Sequence, residues 1–195
     1  MKHILHALFL SVTVALTATQ NIPHNDAYQT DTLGRSAETC GDPTDALPFY
    51  RAIVPQSSVP MRYFYSSNLT VTNTGIKGGW NLQAVACLVF ITQEESTVPF
   101  IRLDGADGEF IYTANTTELE NALLNGFTIP AVDPETFVYP TQICGSVPFY
   151  HLRNAATKVN FYTASTAEMQ VFNANGYSTI GIAGYVLPVG CTECE

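Results

Sequence analysis

Side chains that do chemistry near neutral pH are scarce in this chain. It has four histidines, one tryptophan, and eight lysines and arginines against seventeen acidic residues. His3 and His6 fall in the first ten residues, which leaves His24 and His151 for the body of the protein. General acid–base catalysis by histidine is therefore poorly supplied. No Gly-x-Ser-x-Gly elbow marks a nucleophile, and the acidic run Asp104, Asp107, Glu109 lacks the glycine placement of an EF-hand. That run reads as a solvated turn. Basic charge is too sparse for nucleic acid or an anionic membrane as partner. No cofactor or metal is expected.

What is present begins with a leader. Lys2 supplies a positive start, Ile4 to Leu16 is mostly apolar, and Ala15, Thr17, Ala18 and Thr19 are small. That is the layout of a secretory signal peptide over residues 1–19, too short and too poorly flanked for a membrane span. Without the leader, seven basic residues face seventeen acidic ones, a net charge of −10. The expected location is extracellular, and the expected state a monomer.

Five cysteines follow the leader: Cys40, Cys87, Cys144, Cys191 and Cys194. In an oxidising compartment these are disulfide candidates, with one thiol left over and the pairing open. Cys191 and Cys194 have CxxC spacing but no second pair or nearby histidine to complete a zinc site. Asn68-Leu69-Thr70 and Asn115-Thr116-Thr117 are N-glycosylation acceptors.

The dominant signal is internal repetition. Leu47-Pro48-Phe49-Tyr50-Arg51, Val98-Pro99-Phe100-Ile101-Arg102 and Val147-Pro148-Phe149-Tyr150-His151 open alike, with prolines 51 and 49 residues apart. Tyr65, Tyr112 and Tyr162 end aromatic strands at spacings of 47 and 50, and Gly79, Gly126 and Gly176 recur at the same spacings. Each unit closes on an apolar strand: Leu88-Val89-Phe90, Phe137-Val138-Tyr139, Tyr185-Val186-Leu187.

Between tyrosine and glycine, copies two and three read as helices. Asn115 with Glu118, and Ser165 with Glu168, have capping-box spacing, in which the acid reaches back to the cap amide. Leu119, Ala122 and Leu123 form an apolar stripe, as Met169 and Phe172 do. Gly126 and Gly176 end the helices in the left-handed position. Copy one has Val71 where the acid should be and a β-branched, glycine-containing run from Thr70 to Gly79, so no helix is expected there.

The fold class expected is mainly β, a β-rich α+β chain. Three strand-strand-helix-strand repeats (47–97, 98–146, 147–190) would form one closed pseudo-threefold domain, β-trefoil-like or a short-bladed ring. An open stack would need atypical polar end repeats, which the third copy is not. Closure would bring Cys40 near Cys191 or Cys194 in the tail 191–195. Residues 20–46 read as an irregular arm, ordered near Cys40 if anywhere.

The Tyr-Arg opening, the Phe-Tyr-Thr strand, the helix acid and the run Gly181-Ile182-Ala183-Gly184-Tyr185-Val186 resemble a repeat family of unknown function. That family occurs in secreted fungal and bacterial proteins, alone or appended to enzymes. The resemblance spans residues 47–188 and implies architecture rather than activity. The family pattern carries a histidine before its Phe-Tyr-Thr; Tyr63, Phe110 and Asn160 stand there in this sequence.

One basic residue per copy, Arg51, Arg102 and His151, follows the same aromatic strand. The plainer reading is a structural slot with a salt bridge inside the repeat. The sharper one is three equivalent ligand sites lined by neighbouring aromatics, a design that suits glycans of a cell wall or matrix and gains from multivalency. Trp80 replaces Phe127 and Tyr177 at a core-like position. The expected function is a non-catalytic secreted binding module for carbohydrate. The alternatives are a structural or protein-interaction module and, behind it, a hydrolase with an unrecognised site.

Overall fold

The computed structural model describes residues 39–55, 61–131 and 136–190. The leader, His24, Cys191 and Cys194 lie outside the described residues. Among the described residues nine strands and three helices follow one order three times. Copy one has β1 (Leu47–Val54), β2 (Arg62–Ser66), α1 (Leu69–Lys77) and β3 (Asn81–Val89). Copy two has β4 (Val98–Asp104), β5 (Phe110–Thr113), α2 (Thr116–Leu124) and β6 (Thr136–Val138). Copy three has β7 (Val147–Asn154), β8 (Val159–Thr163), α3 (Thr166–Ala174) and β9 (Ser178–Val186). Each copy makes its own antiparallel sheet of three strands with the opening strand in the middle: β2-β1-β3, β5-β4-β6 and β8-β7-β9. The sheets do not merge into a closed barrel.

The repeated aromatics explain how three small sheets share one interior. Phe49, Phe100 and Phe149 lie 6.1–6.4 Å apart, centroid to centroid. Tyr65, Tyr112 and Tyr162 form a second triangle with sides of 5.3–5.6 Å. Each phenylalanine stacks on the tyrosine of its own copy, at 5.8–6.2 Å. All six are at most 3 % exposed. Such pairs add about 0.5–1.5 kcal/mol each beyond their buried area.

A buried phenol needs a partner, and β2, β5 and β8 are edge strands whose outer amides their own sheets leave unpaired. Each need meets the other. The Tyr65 amide donates to the Tyr112 hydroxyl (2.8 Å), the Tyr112 amide to the Tyr162 hydroxyl (3.0 Å), and the Tyr162 amide to the Tyr65 hydroxyl (2.8 Å). The Tyr65 hydroxyl in turn donates to the Tyr162 carbonyl, and the Tyr112 hydroxyl to the Tyr65 carbonyl. Burial pushes the Tyr65 and Tyr162 phenols far above their ordinary values, so they remain protonated donors.

A second set of ties joins the closing strands. Leu88 bridges to Leu187, Phe90 to Phe137, and Tyr139 to Tyr185, each by two backbone hydrogen bonds of 2.8–3.2 Å. Every copy thus offers two residues, two positions apart, one to each neighbour.

Copy one departs from the sequence expectation. Leu69–Lys77 is a nine-residue helix, capped by the Asn68 side chain on the Thr70 and Val71 amides. Its poor local propensity is overridden by packing. A Cβ on Gly75 would sit 2.0 Å from Trp80 Cε3, so the glycine makes room for the indole, which also packs on Phe64 at 4.7 Å. Equivalent pairs are Ala122 with Phe127 and Phe172 with Tyr177. Leu123 also differs from expectation: it is 42 % exposed, and Ala122 alone of the stripe is buried. Gly79, Gly126 and Gly176 all have φ between +85° and +96°, as the ends of the helices require.

The cysteines correct a further expectation. Cys40 is bonded to Cys144, with Cα atoms 5.6 Å apart, and Cys87 is a free, fully buried thiol. The bridge ties the segment before β1 to copy two, where the Gly41 amide also donates to the Tyr139 hydroxyl at 3.1 Å. Peptide mapping of the unreduced protein should yield a Cys40–Cys144 peptide and a Cys87 that alkylates only after unfolding. Cys144→Ser should cost about 2–5 kcal/mol in urea; a Cys40 linked to Cys191 or Cys194 would contradict this arrangement.

Candidate functional site

The three basic positions sit where copies meet. In β1, Arg51 is 8 % exposed and reaches α3 of copy three, where its two terminal nitrogens bond both oxygens of Glu168 at 2.7 and 3.0 Å. In β7, His151 is 4 % exposed and faces α2 of copy two, with Nδ1 3.6 Å from Glu118 Oε1. By the same progression Arg102 of β4 would meet α1 of copy one, which carries Val71 in place of the acid. Arg102 pairs with Asp104 on its own strand instead, at 2.9 Å.

Each base also covers an aromatic ring. Arg51 lies 4.8 Å over Phe161, Arg102 lies 4.9 Å over Phe64, and His151 stacks on Tyr162 at 4.5 Å and 13°. Those aromatic faces are occupied by the protein's own side chains. The stacking surface expected for a sugar beside each base is therefore taken.

The acids do not do what capping-box spacing suggests. The cap amides of Asn115 and Ser165 donate to the hydroxyls of Thr113 and Thr163, at 2.9 and 3.0 Å. Those hydroxyls donate onward to Glu118 and Glu168 at 2.6 Å. A threonine thus replaces the acid in the reciprocal cap and frees the carboxylate to reach the neighbouring copy. In copy one Ser66 accepts from the Asn68 amide in the same way. Burial raises the Glu118 and Glu168 carboxyls, but the adjacent base and threonine hydroxyl outweigh it and hold both below the ordinary value.

A polar chain extends behind His151. Its Nε2 lies 2.9 Å from Asn160 Oδ1, and Asn160 Nδ2 donates to Glu109 Oε1 and to the Phe110 carbonyl, both at 3.0 Å. Arg153 pairs with Glu109 at 2.8 Å. Glu109 is 8 % exposed, so it is a buried structural acid rather than part of a solvated turn. Its role was hidden in the sequence because both partners lie in copy three. No group of three metal-ligating side chains occurs among the described residues.

Two junctions open into clefts of one plan. The first, about 440 Å³, lies between α3 and β3 and is lined by Arg51, Glu168, Ser165 and the run Ala84, Val85, Ala86. The second, about 390 Å³, lies between α2 and β9 and is lined by His151, Glu118, Asn115, Asn121 and the run Gly181, Ile182, Ala183. It adjoins a cavity of about 480 Å³ that shares Asn115, Thr117, Ile182 and Ala183. At the third junction the described residues beside Arg102 line a cavity of about 20 Å³. The register shifts at Phe49/Tyr50 and Arg51/Ala52, repeated at Phe149/Tyr150 and His151/Leu152, are bulges that re-aim β3 and β9 along these clefts. Asn115 is exposed at the rim, and Asn68 is half-buried. The oxygens of both cap their helices, a bond an N-linked glycan leaves in place.

The geometry defines a β-rich protein of three interlocked sheets in which, at two junctions, a base on one copy meets a helix acid on a neighbouring copy. A family model described as "Domain of unknown function (DUF5648)" matches residues 48–187, and the chain belongs to that family. No curated protein and no solved structure matches it. No helix of the described residues is long and apolar enough to cross a membrane.

The Arg51–Glu168 pair carries a pH dependence of known sign. A carboxyl held below its ordinary value contributes stability above that value and loses it as pH falls through the folded-state value. Glu168→Gln should therefore cost about 1–3 kcal/mol at neutral pH and progressively less as pH falls below the ordinary carboxylate range, the cost vanishing only below the lowered folded-state value. Urea midpoints across pH read this directly. An equal cost at both ends would mean that the charge is not what matters.

Proposed function

We propose that the chain is a secreted, non-catalytic binding module, built as a closed pseudo-threefold ring, whose ligands are glycans of a cell wall or matrix. The binding surfaces are the two junction clefts. The observation that carries this reading is their common plan: a basic side chain facing a helix carboxylate at the base, a helix start offering hydroxyls and amides on one wall, and bulged strand backbone with aliphatic side chains on the other. Volumes of about 390 and 440 Å³ lie in the range of small-molecule sites. Hydroxyl and amide walls suit sugar hydroxyls, and Val85 and Ile182 offer an apolar strip for a pyranose face. The bases themselves orient Glu118 and Glu168 and are not the hands that grip the ligand.

Binding rather than hydrolysis is favoured by the acid count. Among the described residues each cleft is lined by one carboxylate, whereas glycoside hydrolysis ordinarily takes two flanking one bond, about 5 Å apart or somewhat more. Two similar sites on one body also suit a polymeric ligand, since the second contact forms at high effective concentration. The rival reading, a protein-interaction module, draws on the exposed Leu82, Ile180 and Ile182 along β3 and β9, each 45–55 % exposed.

Amide chemical-shift mapping of the labelled mature protein with a panel of oligosaccharides separates the two. Glycan binding should move Ala84–Ala86 and Gly181–Ala183 together with the first turns of α3 and α2. No shift with any oligosaccharide at millimolar concentration would remove the glycan reading and leave the interaction module.

A further inference from the structure

The two clefts share a plan but not a charge balance. Glu168 is saturated: Arg51 takes both its oxygens at 2.7 and 3.0 Å, and the Thr163 hydroxyl adds a bond at 2.6 Å. Glu118 is not. Its Oε2 accepts from Thr113 at 2.6 Å, but the nitrogen facing Oε1 is His151 Nδ1 at 3.6 Å, beyond hydrogen-bonding distance. The reason lies behind the ring. Asn160 donates its amide hydrogens to Glu109 and Phe110, so its oxygen takes the proton on His151 Nε2. The ring is thus held on Asn160 at 2.9 Å and stands off Glu118 Oε1 at 3.6 Å. The side chain of Glu118 is 33 % exposed and lines the cleft.

The floor of this cleft is also unusual. A Cβ on Gly181 would meet nothing within 4 Å, and its φ is not in the left-handed range. Neither packing nor backbone conformation calls for glycine there. Gly184, three residues on, contrasts: a Cβ would lie 2.7 Å from Val138. In the sister cleft the position of Gly181 is held by Ala84. The effect is a bare strip of β9 backbone, flanked by Ile180 and Ile182, which are 55 % and 45 % exposed. Asn121 and Thr117 stand on the opposite wall.

We propose that the His151–Glu118 cleft selects an amino sugar bearing a free ammonium group, with the ammonium on Glu118 Oε1, the pyranose face along Gly181 and Ile182, and hydroxyls toward Asn121 and Thr117. This rests on the glycan reading and narrows it. A carboxylate with one oxygen open to a cleft that has a polar and an aliphatic wall, on a chain of net charge −9, attracts a cation. Once seated, the ammonium makes the charge-assisted bond that an arginine supplies in the sister cleft.

The test titrates the labelled protein with a linear glucosamine oligomer and with its N-acetylated counterpart. The free-amine oligomer should bind this cleft more tightly by about tenfold or more, the worth of one hydrogen bond to a charged group, with shifts at Gly181–Ala183 and Asn121. Glu118→Gln should erase the preference and Glu168→Gln should leave it. His151→Arg, which installs the sister cleft's base, should weaken binding of the free amine; if that variant fails to fold, Glu118→Gln alone decides. Equal affinity for both oligomers at this cleft, or a preference that survives Glu118→Gln, overturns the proposal while leaving glycan binding intact. Absence of binding by either oligomer, when other oligosaccharides do shift the clefts, also overturns it. Absence with every oligosaccharide removes the broader reading as well.

Discussion

A strand at the edge of a small sheet carries backbone amides its own sheet cannot satisfy, and a buried amide left unpaired costs about 1–3 kcal/mol. In this protein that liability falls on Tyr65, Tyr112 and Tyr162, which sit on edge strands and are almost wholly buried. Each amide is taken by the hydroxyl of another member of the set, and the order runs from copy one to two, two to three, and three to one. A phenol buried in an aromatic cluster needs the same bond from its own side. Neither group can be satisfied inside one copy, so no copy is complete without the other two. The paired backbone bridges among the closing strands repeat the pattern at another level.

On that frame the copies vary freely. A base on one opening strand meets an acid on the next helix at two junctions, as Arg51–Glu168 and as His151–Glu118. Copy one has given up its acid, and Arg102 pairs with Asp104. The exchange of arginine for histidine at one junction is small in size and large in consequence, because arginine saturates a carboxylate and a histidine turned to Asn160 does not. Difference in chemistry among the clefts thus arises from single substitutions on a scaffold that tolerates them.

The periodic part of this structure is legible in the sequence. Equal spacings of tyrosine and glycine identify two anchors of the same rigid unit, and the recurring Pro-Phe at Pro48, Pro99 and Pro148 marks the opening strands. What is not legible depends on pairs far apart in the chain. The helix of copy one lacks the acid and has poor propensity, yet forms with Asn68 as its cap and Trp80 packed over Gly75. Glu118 and Glu168 look like cap residues because spacing shows only their own helices, whereas their partners are 33 and 117 residues away along the chain. The helix acid recurs at two junctions and is absent from α1, while a basic residue is kept in all three copies. The Cys40–Cys144 pairing joins positions 104 apart and has no local signature. The clefts are harder still, since they are made by bulges in β3 and β9 that no residue type announces.

Native-state hydrogen exchange at the amides of Tyr65, Tyr112 and Tyr162 tests the interdependence of the copies most directly. If the three tyrosines act as one cycle, their amides exchange among the slowest in the protein and with a common opening free energy. Tyr65→Phe then lowers protection at all three by the same factor, although the backbone bonds its hydroxyl makes are only to Tyr162. Protection lost at Tyr162 alone, with Tyr65 and Tyr112 unchanged, would mean that the copies open independently and would contradict the account.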